Sequence, residues 1–203
     1  MTTSLTLVRV FDRSWAAWLH GLDACRNTPA RGAVHALRID TRRLRALLDV
    51  LGHATDAPSR SLRRLARTAA KPMRALSPLR DDQVQRRRIA HAAGSRGMEA
   101  LLDDVGRRKA RHEKRAHRVL ARIDRARVEA LARRVRKGVV QRQGAPTPAE
   151  RTLLLLTAVD AAATDVRSRL ARVDAGTPRT LHKLRIALKH FRYIVEIAEE
   201  VWG

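Results

Sequence analysis

Aromatic residues make up only 3% of this 203-residue chain. The stacking platforms on which binders of single-stranded nucleic acid rely are therefore scarce. Phe11, Trp15, Trp18 and Phe191 also fall on apolar core phases. Cys25 stands alone, which excludes an intramolecular disulfide and a thiolate metal cluster and fits a reducing cytosol. The longest apolar run, Leu153 to Leu156, is far too short to span a bilayer. The opening MTTSLTLVRVFDR has no basic leader, long apolar run or small-residue cleavage site, so it does not read as a secretory signal. A Walker loop and a cluster of alternating glutamates are missing, so a metal-assisted phosphate hydrolase finds no support. No helix-turn-helix, zinc-finger or RNP signature occurs. These absences predict a soluble cytoplasmic protein that is not an enzyme and needs neither cofactor nor metal.

Positive charge is what the chain has in excess. Lys and Arg total 43 against 20 Asp and Glu, a formal net charge of +23. Only six of the 43 are lysine, which leaves 37 arginines. Self-repulsion on this scale destabilises a compact state and implies a polyanionic partner. Nucleic acid, an anionic membrane and an inorganic phosphate polymer all meet that description.

The hydrophobic pattern predicts an all-α protein of about eight helices, because apolar spacing near 3.6 recurs and β-branched alternation does not. Val8, Phe11, Trp15, Trp18 and Leu22 define a first helix ending near Arg26. Thr28-Pro29 reads as an N-cap and first helical position of a second helix, stopped by Gly52. A third helix starts near Ser59, with Pro72 expected to kink or break it. LSPLRDDQV (76–84) reads as a joint between helices, and the helix after it ends at Gly94 to Gly97. A very basic stretch of one or two helices runs from Met98 to about Gln143, and QGAPTP (143–148) reads as a linker. Thr147, Pro148 and Glu150 form a capping box. A further helix runs to Asp174, and another Thr-Pro start at Thr177-Pro178 opens the last one, which reaches Trp202.

A shift of 147 residues superimposes one part of the sequence on another. His35, Arg38, Arg42 and Arg45 map onto His182, Arg185, Lys189 and Arg192, and Val34, Leu37, Leu44 and Leu48 onto Leu181, Leu184, Phe191 and Val195. The hairpins 5–51 and 149–202 thus read as two copies of one unit, each with a Thr-Pro cap on its second helix. At about 100° per residue, the four basic positions of each copy fall within roughly an 80° sector. Each follows an apolar position by one residue, so the basic stripe flanks the buried seam and can line a groove. Like charges at i,i+4 cost a few tenths of a kcal/mol each, which a bound anion would offset. Arg45 to Asp49 and Arg192 to Glu196 are i,i+4 pairs suited to orienting the last arginine of each copy. The histidines lack the neighbours of a metal ligand or a nucleophile's base. As a cation and double donor, each suits phosphate.

The doubled H-x2-R-x3-[KR]-x2-R motif resembles the signature of the CHAD family, the conserved histidine α-helical domain. HKLRIALKHFRYIVE, including Tyr193 and Glu196, is similar to that family's second motif. LSPLRDDQV resembles its loop-helix signature, with Ser77 where glycine is usual. The resemblance covers most of the chain. It implies two pseudo-symmetric helical bundles around a basic central groove that binds inorganic polyphosphate, with polyphosphate granules as one location. On this reading residues 1–203 form one domain: a first repeat with a basic extension over 1–143 and a second, incomplete repeat over 147–203. A counterpart of LSPLRDDQV is missing after the second motif, so either the chain is a short form or a second copy completes that bundle as a homodimer. Arg60, Arg64, Arg67, Lys71 and Arg74, followed by Arg80, supply a second basic stripe. Asp81-Asp82 reads as helix-start charge favoured by the macrodipole and paired with arginines. The alternative partner is a nucleic-acid backbone, bound through the basic helices of 107–142; no membrane partner is expected.

Overall fold

The computed structural model describes residues 3–54, 59–92, 97–141 and 147–202. Within them lie seven α-helices and no strand: α1 (Thr3–Asn27), α2 (Arg31–Ala54), α3 (Ser59–Ala92), α4 (Gly97–Ala121), α5 (Arg125–Gln141), α6 (Pro148–Leu170) and α7 (Pro178–Trp202). None is long and apolar enough to cross a membrane. The chain divides into two compact units. One comprises Met1–Trp15, Arg42–Ala66 and Glu129–Gly203, the other Ala16–Thr41 and Arg67–Val128.

In the second of these units α1 and α2 approach closely at a glycine. A Cβ on Gly21 would stand 3.3 Å from the Cα, Cβ and Cδ1 of Leu37. That contact buries Trp18, Leu22, Cys25 and Leu37 completely. Trp18 Nε1 donates to Thr41 Oγ1 at 3.2 Å, and the Thr41 hydroxyl donates to the Leu37 carbonyl at 2.7 Å, so neither polar atom is buried unpaired. Arg26 donates to the Leu120 carbonyl at 3.1 Å and to that of Ile123, capping the C-terminal end of α4 from α1. Burial pushes the Cys25 thiol up to about 11, which leaves it a packing residue and no nucleophile.

In the other unit, Phe11 of α1, Leu44, Leu47, Leu48 and Leu51 of α2, Val135 of α5, Leu155 of α6 and Ile194 of α7 belong to the core. The Arg136 guanidinium forks onto Asp12, with Nε at 2.8 Å from Oδ1 and Nη2 at 3.0 Å from Oδ2, and ties α5 to α1. The capping box forms as the sequence predicts: Thr147 Oγ1 accepts from the Glu150 amide at 3.2 Å, and Glu150 accepts from the Thr147 amide at 2.5 Å.

Several sequence expectations need correction. Helices number seven among the described residues. α2 starts at Arg31 rather than at Thr28-Pro29; the Ala30 amide bonds the Thr28 carbonyl at 2.7 Å in a tight turn, and Val34 makes the first helical bond, to Ala30, at 2.9 Å. α2 also runs past Gly52 to Ala54. α3 continues through both Pro72 and Pro78 for 34 residues, so LSPLRDDQV lies inside a helix and is no joint. Each proline removes a helical hydrogen bond at a cost of roughly 3 kcal/mol, and full burial of Leu65, Ala69, Leu76 and Leu79 along the same helix offsets it. α6 ends at Leu170, a few residues before Asp174. The start of the 143–148 linker and most of Gly94 to Gly97 lie outside the described residues. The apolar seams of the two copies also differ. Val34, Leu37 and Leu44 are fully buried, whereas Leu181 is 48% exposed and Leu184, Phe191 and Val195 are half-buried. α7 buries another face, that of Ala187, Tyr193, Ile194, Ile197, Ala198 and Val201, instead.

The Gly21–Leu37 contact yields a direct test. Gly21→Val is expected to destabilise the protein by about 1–3 kcal/mol through overpacking, read as a lower denaturation midpoint in urea at unchanged slope. An unchanged midpoint would show that α1 and α2 can separate there at no cost.

Candidate functional site

On α2, His35 and Arg45 are exposed and Arg38 and Arg42 half-buried. On α7, His182, Arg185 and Arg192 are exposed and Lys189 half-buried. Both stripes therefore lie on helices, and each keeps to one narrow sector of its helix.

Two ion pairs fix how α2 and α7 meet within the Arg42–Ala66 and Glu129–Gly203 unit. Arg43 Nη2 lies 3.6 Å from Glu196 Oε2, and His190 Nε2 lies 3.2 Å from Asp49 Oδ2. Rising numbers on α2 meet falling numbers on α7, so the helices run antiparallel. Under the 147-residue shift Arg43 becomes His190 and Asp49 becomes Glu196, so each pair is the image of the other. The repeat is thus a pseudo-two-fold axis crossing the α2–α7 pair. An antiparallel pair exchanged by such an axis keeps equivalent faces on one side. Arg42 and Arg45 accordingly share a side with Lys189 and Arg192. The expected pair of Arg192 with Glu196 is present at 3.4 Å, and the Arg192 guanidinium also lies 4.9 Å above the Tyr193 ring. Asp49, however, serves His190 across the helix pair and not Arg45 on its own helix.

Arg38 is held differently. Its Nη1 donates to Ser77 Oγ at 2.6 Å and lies 3.5 Å from the Met73 carbonyl, while the Ser77 hydroxyl donates to that carbonyl at 2.8 Å. Ser77, the departure from the usual glycine, therefore anchors an arginine of the stripe to α3.

α3 carries the second stripe. Because the helix runs through Pro72, Arg60, Arg64, Arg67, Lys71 and Arg74 stay in phase, within roughly 80° of one another, and all five are exposed. Their spacing of four, three, four and three residues is that of Arg31, His35, Arg38, Arg42 and Arg45 on α2. Arg31, exposed at the first position of α2, thus extends the first stripe by one turn. The repeated motif begins at His35, so it does not include Arg31. Arg80 does not join the α3 stripe. It sits roughly 120° from Arg74 on the helix, is half-buried, and its Nη1 is enclosed.

Asp82 lies in the middle of α3, so the macrodipole does not account for it. Its side chain is 7% exposed, and Oδ2 is 2.5 Å from His112 Nδ1 of α4. Arg108 Nε lies 3.9 Å from Asp82 and 3.6 Å from Asp104, a contact through charge alone. Asp81 is exposed. Among the described residues no group of three or more His, Cys, Asp or Glu is placed to hold a metal ion.

Rows of exposed arginine on helix faces, organised by a two-fold helix pair, define an all-α protein with cationic helix surfaces. The chain belongs to the CHAD domain family, whose signature matches residues 9–203. Its fold is similar to the crystal structure of the CHAD domain from the plant Ricinus communis, with a TM-score of 0.77 at 17% identity, over 98% of this chain and 66% of that one. It is also similar to PptA from Streptomyces chartreusis, with a TM-score of 0.59 at 21% identity, over 98% of this chain and 76% of that one. The chain thus spans just under two thirds of the length of the Ricinus structure. No curated protein matches it.

The Asp82–His112 pair ties α3 to α4, and a double-mutant cycle of Asp82→Ala and His112→Ala measures its strength. A coupling of about 0.5–3 kcal/mol is expected; a coupling near zero would make the contact incidental to stability.

Proposed function

We propose that this protein binds inorganic polyphosphate along its arginine rows and does not turn it over. One observation carries the reading: on the two-fold pair of α2 and α7, Arg42, Arg45, Lys189 and Arg192 share one side, while Asp49 binds across the helix pair and Glu196 is shared between Arg43 and Arg192. The basic positions step by about 4.5–6 Å along each helix axis. A flexible anion with a charge on every unit can follow such a row, and guanidinium forks donate in pairs to phosphate oxygens. Membership of the CHAD family adds to this reading.

A nucleic-acid backbone is the rival partner. Phe11, Trp18 and Tyr193 are buried, and Trp202 is the one aromatic side chain classed as exposed. Bases would therefore find little to stack on. Duplex DNA, stiff over roughly 150 base pairs, has less freedom to follow rows on separate helices than a flexible polymer has.

Changing Arg42, Arg185, Lys189 and Arg192 to Ala is expected to weaken binding of long-chain polyphosphate at least tenfold near physiological salt. The same change should flatten the log–log salt dependence by about three units, because four ligand charges lose their partners. Undiminished binding would remove these rows from the site. Duplex DNA displacing polyphosphate at equal phosphate concentration would favour the rival. Phosphate release with magnesium or manganese present would show turnover. Ser77→Ala removes the anchor of Arg38 and should weaken binding about 2–10-fold through lost preorganisation.

A further inference from the structure

At the start of α2 the unit formed by Ala16–Thr41 and Arg67–Val128 contains a cavity of about 420 Å³ that lies beyond the motif residues. Arg31, Gln83, Arg86, Arg87, Lys109 and Glu113 line it, together with the turn leading into α2. Lys109 is neutralised by Glu113 at 3.2 Å. Arg31, Arg86 and Arg87 are exposed, and none has a carboxylate partner among the described residues. Three guanidinium charges therefore remain uncompensated around one cavity.

Two further features specify what those charges could meet. Val34 makes the first helical bond of α2, so the amides of Arg31, Gly32 and Ala33 have no acceptor within the helix. This end of the helix is open, since a Cβ on Gly32 would meet nothing within 4 Å. Amides at a helix start favour an anion. Gln83 is only 7% exposed; its Nε2 donates to the Pro29 carbonyl at 3.3 Å, and its Oε1 has no partner. A buried acceptor left unpaired is unfavourable, and a donor relieves it. The cavity thus asks for an anion that also carries a hydrogen.

An interior unit of a phosphate chain, linked by anhydride bonds on both sides, is fully ionised and has no such hydrogen. A terminal phosphate has a second ionisation near pH 6, so around neutrality part of it keeps a P–OH. Arg31 joins the cavity to the stripe: it precedes His35 by one turn and shares its sector. We propose that this cavity holds the terminal phosphate of a phosphate chain. The P–OH donates to Gln83 Oε1, the anionic oxygens accept from Arg86, Arg87 and the first α2 amides, and the next units pass Arg31 toward His35 and Arg38. This rests on the polyphosphate reading and adds to it that one chain end is recognised.

The test uses tripolyphosphate, long-chain polyphosphate with free ends, the same chain with both ends blocked as phosphoramidates of a secondary amine, which leave no O–H or N–H donor, and orthophosphate. They are measured by calorimetry on the full chain and on the double variant Arg86→Ala/Arg87→Ala, whose exposed positions leave folding intact. Tripolyphosphate affinity should fall at least tenfold in the variant, while long-chain affinity falls less than threefold because the stripes persist. End blocking should weaken long-chain binding to the wild type and change nothing in the variant. Gln83→Leu, checked for native helix content, should lose the preference for free ends. Equal losses for free and blocked chains would overturn the proposal. So would orthophosphate competing as well as tripolyphosphate at equal phosphate concentration, which would assign the cavity to free phosphate. If long chains fail to bind at all, the polyphosphate reading fails. The variant's loss of tripolyphosphate would still support the terminal-phosphate site, and no loss would overturn it.

Discussion

The shortage of carboxylates governs this protein. With 20 acidic against 43 basic side chains, most cations cannot be neutralised within the chain, and where the few acids go decides the structure. Several are spent on joining elements remote in sequence. Asp12 takes Arg136, Asp23 takes Arg125, and Asp82 takes His112. Asp49 and Glu196 bridge α2 and α7 in opposite directions. Acids used this way hold helices together, Glu196 also pairing with Arg192 of the α7 row, and they are too few to match the basic side chains. The result is a scaffold whose internal electrostatics are attractive and whose outward rows repel themselves.

Packing accounts for the narrowness of one row but not of the other. Along α2, Thr41, Leu44, Ala46, Leu47, Leu48, Val50 and Leu51 are all buried, so little of the helix perimeter is free for charge. Confinement of Arg38, Arg42 and Arg45 to one sector follows from that burial alone. α7 has no such restriction, for Leu181, Ile186 and Leu188 are 47–55% exposed. Cations could occupy those positions at no cost in burial, yet His182, Arg185, Lys189 and Arg192 keep the spacing of the α2 row. Packing therefore does not account for the α7 row.

The helical character, the capping box of α6, the start of α7 and both motif rows were legible in the sequence, because each depends on local spacing or on a local cap. What escaped depends on tertiary contacts. Thr28-Pro29 has the composition of a helix start, but the Thr28 carbonyl closes a turn on Ala30 and delays α2 to Arg31. Pro72 and Pro78 read as breaks because their cost is local, whereas burial of Leu65, Leu76 and Leu79 comes from neighbours that periodicity does not identify. Asp49 was matched with Arg45 by i,i+4 proximity, but His190 arrives from α7 and takes it. The same pair of bridges reveals the two-fold axis, which the sequence repeat implies only as an alignment. Gln83, buried with an unpaired oxygen, gave no signal in the sequence at all.

Continuity of α3 changes how the basic rows relate to one another. A break at Pro72 would have left Arg74 out of phase with Arg60, and the arginines of α3 would be scattered charges. Unbroken, α3 repeats the spacing of α2, and Arg38 connects the two helices by reaching Ser77 and the Met73 carbonyl one turn before Pro78. Glycine at position 77 would offer no hydroxyl there, so Arg38 would have one hydrogen-bond acceptor fewer. With serine its guanidinium is anchored to α3 through that hydroxyl. A row of identical cations thus contains one that is preorganised, and preorganised donors lose less entropy when an anion arrives. Arg38 is also the last member of the row before the chain passes into the other compact unit at Arg42. The anchored cation of the α2 row therefore lies in the same unit as Ser77 and Met73, which anchor it.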